Sequence, residues 1–191
     1  MRNGKRLVAP TPEERRRLLE ETEGLYPRAH AIFSLGLWQL TAREVCSLDV
    51  RQVSADGTEP MRAIFVPRVD SRRTLDEPLR REPIDDQVWR ALHAYLKWRR
   101  RLCEHFRIPL KTLRDERGVE RCHACGEVAD FLAAPLFHSR QSDRITARQV
   151  RNEFRKFRDM LSLNPALHFD SLRESRFLNR PENDGPQKRA A

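Results

Sequence analysis

Two groupings in this 191-residue chain combine residue types and spacing that could do chemistry. Cys122-His-Ala-Cys125-Gly126 has the spacing of half a tetrahedral zinc site, because two thiolates separated by two residues can grip one ion. Cys103 and His105 upstream could supply the other two ligands, and bound zinc would then pin the segment around them. The other reading of the four cysteines, at 46, 103, 122 and 125, is free intracellular thiols, since a second CxxC is missing and the number is too small for a disulfide framework. Redox chemistry at the pair is not expected, because no strand precedes it in a βαβ context. The second grouping is Arg148, Arg151, Arg155 and Arg158, which at helical spacing form one stripe of guanidiniums. A guanidinium is a planar fork of donors that matches phosphate oxygens, so such a stripe points to a phosphate backbone.

These residues need elements to position them. Thr11-Pro-Glu-Glu14 supplies an N-cap, a Pro at the first helical position and a Glu at the capping-box position, and predicts a helix over about 12–22. Gly24 and Pro27 break it, and Ala29 to Leu40 reads as a helix apolar on all sides, hence buried. Thr41-Ala-Arg-Glu44 repeats the capping box and starts a short helix that sends Val45, Cys46 and Leu48 inward. Asp49 to Gly57 reads as a turn, and Met61–Val66 with Arg81–Ile84 as a small antiparallel sheet. Val88, Trp89, Leu92, Leu96 and Cys103 recur at helical spacing and predict the longest helix over about 85–106, with Arg99, Arg100 and Arg101 turned outward. Residues 108–137 read as irregular. Thr146-Ala-Arg-Gln149 caps the helix that bears the arginine stripe, whose core face is Val150, Phe154, Phe157 and Leu161. A last helix is expected over about 170–178.

Composition sets the class. A net charge of +9 and a pI near 10.1 call for a polyanionic partner, nucleic acid first, because cations that displace condensed counterions gain affinity for any phosphate backbone. Lys occurs only at 5, 97, 111, 156 and 188, so Arg carries most of that charge; an arginine-rich but merely solvated surface, including Arg15-Arg-Arg17, is the alternative. The mean hydropathy of -0.74 describes a very polar surface, yet three Trp and nine Phe suffice for one packed core. The expected organisation is a basic tail over 1–10, one domain over 11–180 and a second tail over 181–191. No apolar run approaches the ~18 residues of a membrane span and no signal-peptide core follows Met1, so no membrane contact and a cytoplasmic location are expected.

Several blocks, in order, resemble the catalytic domain of the tyrosine recombinases, the phage integrase family. They are Thr11-Pro-Glu-Glu14, then Ala42-Arg-Glu-Val-Cys-Ser-Leu-Asp-Val50, then Ala134-Pro-Leu-Phe137 followed by Arg144-Ile-Thr-Ala-Arg-Gln-Val150, and finally Ser171-Leu-Arg173. The resemblance spans about residues 11–178 and implies a mainly α fold with a small antiparallel sheet that acts on duplex DNA. In that family a Tyr attacks the scissile phosphate, two Arg with His or Trp groups neutralise the developing charge, and a hairpin Lys protonates the leaving oxygen.

Position by position, the resemblance implies a degenerate site. The first Arg falls on Thr41, three residues before Glu44, and neighbouring Arg43 would point elsewhere on a helix. In the H-x-L-R motif Arg173 is retained, while Asp170 stands where the His belongs and would repel phosphate; His168 is the nearest substitute. Residues 51–96 contain no Lys, which leaves Arg68, Arg72 and Arg73 as stand-ins, and Arg seldom gives up a proton. The tyrosines, Tyr26 and Tyr95, both precede Arg173, whereas the family's nucleophile follows it, so a chain truncated before the nucleophile is expected.

Together these observations predict a protein that binds duplex DNA through Arg148, Arg151, Arg155, Arg158, Arg72 and Arg73 without cutting it. It would serve as an accessory or regulatory factor, or stand as the remnant of a mobile element. Its partners would be duplex DNA and either a full-length recombinase or a second copy of itself. No cofactor is expected unless Cys103, His105, Cys122 and Cys125 hold zinc. The alternative is a protein-interaction or zinc-stabilised module with no role on DNA.

Overall fold

The computed structural model describes residues 8–67, 79–101, 112–114, 116, 120–122, 132, 134–139 and 144–174. Among them run α1 (Pro12–Glu20), α2 (Pro27–Trp38), α3 (Ala42–Ser47), β1 (Ala63–Val66), β2 (Arg80–Pro83), α4 (Asp86–Arg99), β3 (Thr112–Arg114), β4 (Glu120–Cys122) and α5 (Ala147–Met160). Two 3₁₀ turns, Val50–Gln52 and Phe169–Glu174, complete the order. The fold is thus mainly helical with small antiparallel hairpins, as expected. No helix among the described residues is long and apolar enough to cross a membrane.

Helix starts follow local chemistry. Thr11, Thr41 and Thr146 each accept a hydrogen bond from the backbone N–H three residues on, and Glu14, Glu44 and Gln149 reach back to the capping residue's own N–H. Each reciprocal pair satisfies two backbone donors that a helix end otherwise leaves orphaned. Asp85 caps α4 in the simpler way, its carboxylate accepting from Val88 N–H at 2.8 Å. Gly24, at φ +75°, makes the left-handed turn between α1 and α2 that a side chain would strain.

Helix α2 is the centre of the core, with every residue from Ala29 to Gly36 buried. It packs against α1, α4, α5 and the 3₁₀ segment 169–174. Phe33 meets Phe154 and Phe157 of α5 edge-on at 5.7 and 5.3 Å, and Phe154 meets Phe169 at 6.2 Å. Gly36 lets the 3₁₀ segment come close: a Cβ there would lie 2.8 Å from Phe169 Cζ and 3.2 Å from Leu172 Cδ1. Gly36→Ala should therefore lower stability by about 1–3 kcal/mol through overpacking, although alanine is the better helix former by about 1 kcal/mol. Denaturant melts of the two proteins check this, and equal or higher stability of the alanine variant would show that the contact yields freely.

Four expectations need correction. Arg99 is not turned outward but 4% exposed, its Nη2 2.8 Å from His138 Nε2, because the end of α4 packs under the segment that carries His138. Part of the stretch read as irregular is the hairpin β3–β4, with Thr112 paired to Cys122 and Arg114 to Glu120. The turn after α3 contains the 3₁₀ turn 50–52, and Asp49 bridges to Pro135. The final element begins as a 3₁₀ segment rather than an α-helix; residues 175–178 of that expectation lie outside the described residues, as do residues 181–191 of the expected tail. The sheet β1–β2 matches its expectation to within two residues at either end, with Ala63 opposite Pro83 and Val66 opposite Arg80.

Candidate nucleic-acid interface

The start of α3, the exposed side of α5 and the 3₁₀ segment 169–174 meet at one place on the surface. The junction is built on Asp170. Its Oδ1 accepts from the Ala42 N–H at 2.8 Å, and its Oδ2 accepts from Nε of Arg151 at 2.8 Å with Nη2 at the same distance. A carboxylate expected to repel phosphate is instead held between α3 and α5 and neutralised by one arginine of the stripe. Arg173 follows one 3₁₀ turn later, and because residues i and i+3 eclipse in that helix it projects from the same face. Its side chain is 44% exposed, with Nε 3.4 Å from Glu174.

Thr41 is the N-cap of α3, its hydroxyl donating to Glu44 Oε2 at 2.9 Å while accepting from the Glu44 N–H. It offers no cation. Glu44 Oε1 lies 3.2 Å from Arg80 Nη2, so the sheet's second strand supplies the positive charge nearest that glutamate. Arg43 is exposed beside Thr41 and forms no ion pair among the described residues. His168 is also exposed, just before the 3₁₀ segment, where its backbone N–H meets the Ser171 hydroxyl at 3.1 Å.

The four stripe arginines divide into two kinds. Arg148 and Arg155 are exposed and form no ion pair among the described residues, and Arg151 is exposed apart from its fork on Asp170. Arg158 is 14% exposed; its guanidinium binds Asp159 and donates to the carbonyls of Pro165 at 2.8 Å and Leu167 at 3.2 Å. It braces the loop that leads into the 3₁₀ segment. Arg17 donates to Leu161 O at 2.8 Å and Glu14 accepts from Asn164 N–H at 2.9 Å, so α1 braces the same loop from the other side. Burial pushes the Glu14 carboxyl up, but the N–H bonds from Thr11 and Asn164 outweigh it and hold the group below the usual carboxylate range.

Several bracing residues carry no signal in the sequence reading. Arg28 on α2 donates to both carboxylate oxygens of Glu153 at 3.0 and 3.1 Å and to His138 O at 3.1 Å. Arg144 donates to the carbonyls of Cys46 and Leu48 and binds Asp49, fastening the entry of α5 to the exit of α3. Burial pushes the Cys46 thiol up to about 11 against the pull of Arg151 and Arg144, so it stays protonated and unreactive at neutral pH.

Of the tyrosines, Tyr95 is buried in the core and donates to Leu136 O at 2.8 Å, whereas Tyr26 is half-exposed and meets Phe157 edge-on at 5.1 Å. Arg68, Arg72, Arg73, Cys103, His105 and Cys125 lie outside the described residues, and Cys122 closes β4.

This arrangement of helices around a small sheet is the fold of tyrosine recombinase catalytic domains. The crystal structure of XerA recombinase is similar over 88% of this chain and 48% of that one, with a TM-score of 0.57 and 17% identity. The Tn1549 transposon integrase in complex with transposon right end DNA is similar over 93% of this chain and 55% of that one, with a TM-score of 0.57 and 16% identity. The same integrase with a circular intermediate DNA gives 0.56 at 16% identity, over 91% and 52%. The chain therefore spans about half the length of these proteins. No family model matches the sequence, and no curated protein matches it.

Proposed function

We propose that this chain is a DNA-binding module with the tyrosine recombinase fold that grips duplex DNA and does not break it, and that it acts beside a recombinase, as an accessory or regulatory factor. The phosphate contacts fall to Arg148, Arg151, Arg155 and Arg173, whose guanidiniums sit on or beside the exposed side of α5. Arg158 is left out of that set because its donors are committed to the loop it braces. The similarity to an integrase solved with DNA supports the choice of partner.

The observation that carries the inactive half is the seating of Asp170. Where the resemblance calls for a His, this chain holds a carboxylate wired to Ala42 N–H and Arg151, and where it calls for an Arg, Thr41 is locked in its capping box. Strand cleavage by this class needs preorganised cations around the developing phosphorane charge. A carboxylate that ties up Arg151 and a hydroxyl in place of a guanidinium leave that developing charge unsupported, and Arg in place of a hairpin Lys holds its proton too firmly to serve as an acid.

A nicked duplex that traps covalent intermediates tests the proposal. At 50 mM salt a retarded complex is expected in a native gel, and no protein–DNA adduct after denaturation; an adduct mapping to Tyr26 or to any other residue of this chain would contradict it. Groups that act on one developing charge work as a unit, so Thr41→Arg alone is expected to remain inactive in the same assay. One observation favours a protein-binding module instead: Leu25, Tyr26 and Met160 are exposed, and Tyr26 packs on Phe157, one turn before Met160 in α5. Absence of any retarded complex at low salt would decide for that reading.

A further inference from the structure

The arginines of the interface differ in whether they come with an acid. Arg151 carries Asp170, Arg173 carries Glu174, Arg80 carries Glu44 and Arg144 carries Asp49. Arg148, Arg155 and Arg43 carry none among the described residues. Part of the face is therefore neutralised by the protein's own carboxylates, while Arg43, Arg148 and Arg155 keep positive charge with no acid partner among the described residues.

Among these pairs Arg151–Asp170 has the geometry of a ligand in its site. One carboxylate oxygen receives both Nε and Nη2 of the arginine at 2.8 Å, as a phosphate oxygen would, and the other receives a backbone N–H. The carboxylate is only 27% exposed while the guanidinium is 45% exposed, so the arginine is reachable from solvent but its strongest donors are already used. The reason lies in the placement of Asp170 on the short segment that also bears Arg173: packing of Phe169 against Gly36 and Phe154 fixes the segment, and that fixes the carboxylate over Arg151.

We infer that Asp170 is an internal competitor for DNA phosphate at Arg151, and so sets the affinity of the interface. The inference rests on the DNA-binding proposal above. A phosphate that engages Arg151 must displace or share the Asp170 carboxylate, and the contact it gains is offset by the one lost. Removing the charge while keeping the acceptor for Ala42 N–H frees one guanidinium without undoing the junction. Asn does this, since its amide oxygen accepts from the N–H and its amide nitrogen gives Arg151 nothing to bind.

The test is equilibrium binding of one short duplex across a salt series, with the intact chain. Asp170→Asn is expected to bind about 5- to 10-fold tighter than the parent near 0.1 M salt, with the logarithmic salt slope steeper by about 0.9, the signature of one added phosphate contact. Asp170→Ser, which removes the same charge with a shorter side chain, should show the same gain. Glu20→Gln, which removes one negative charge from α1 where it pairs with Arg16, should leave the slope unchanged and so separates a local effect from net charge. In an Arg151→Gln background the gain from Asp170→Asn should vanish. Equal or weaker binding by both Asp170 variants, with parental binding intact, would overturn the inference and leave the DNA-binding proposal standing; so would a gain that persists without Arg151. Failure of the parent itself to bind at 50 mM salt would remove the DNA-binding proposal, and this inference with it.

Discussion

Phe154→Ala is expected to lower stability by about 3–5 kcal/mol, the range for truncating a fully buried phenylalanine, and so to drop the melting temperature by roughly 10 °C in a domain of this size. Phe154 is 1% exposed and meets Phe33 of α2 and Phe169 of the 3₁₀ segment edge-on. The cavity left by alanine would open between the central helix, the arginine-bearing helix and the segment that carries Asp170 and Arg173. Neighbouring aromatic rings cannot collapse into it without giving up the Gly36 contact, which is why the upper part of the range applies. Chemical denaturation of the two proteins measures the loss directly. A change below about 1 kcal/mol would mean that the aromatic stack does not tie these elements together.

The second large effect belongs to DNA affinity. Arg148→Gln with Arg155→Gln should weaken duplex binding by about 50-fold near 0.1 M salt and flatten the logarithmic salt slope by about 2, because each guanidinium that meets a phosphate contributes about 0.9 to that slope. Both side chains are exposed and free of ion pairs among the described residues, so the substitutions should leave the melting temperature nearly unchanged. Arg158→Gln should show the reverse pattern, with lower stability from the loss of two carbonyl contacts and little change in slope. Anisotropy titrations and thermal melts on the same preparations separate the two kinds of arginine. An unchanged slope in the double variant would place the DNA contacts elsewhere on the molecule.

That division among arginines shows where sequence reasoning reached its limit. The capping boxes at Thr11, Thr41 and Thr146 were legible because they are closed within four residues, and the apolar face of α5 because burial repeats with the helical period. An arginine's role depends on partners far away in sequence. Arg28 and Glu153 are 125 residues apart, Arg144 and Asp49 are 95, and no local pattern marks either pair. Arg99 looked like part of a solvated run of three, yet the end of α4 turns it under His138. Arg158 has the same spacing as Arg151 and Arg155 but lies where the chain folds back after Leu161, within reach of loop carbonyls. The hairpin β3–β4 escaped notice because strands of three residues, with Arg114 and Glu120 among them, carry almost no alternating signal.

Asp170 was legible in identity but not in its partners. Its alignment with a His position marks a negative charge that would repel phosphate, but what that charge meets depends on the fold, and here an arginine 19 residues away in sequence reaches it. The same holds for Glu44, whose capping role was evident and whose pairing with Arg80 depends on the sheet folding back against α3.

If exposed arginines carry the proposed phosphate contacts, duplex binding by the unaltered chain must weaken steeply with salt. With about three net phosphate contacts, because Asp170 offsets the one at Arg151, the dissociation constant should rise by about 40-fold between 50 and 200 mM salt, along a straight line of logarithmic slope near 2.7. Binding that changes less than about threefold over that range, or no binding at 50 mM, would contradict the proposal.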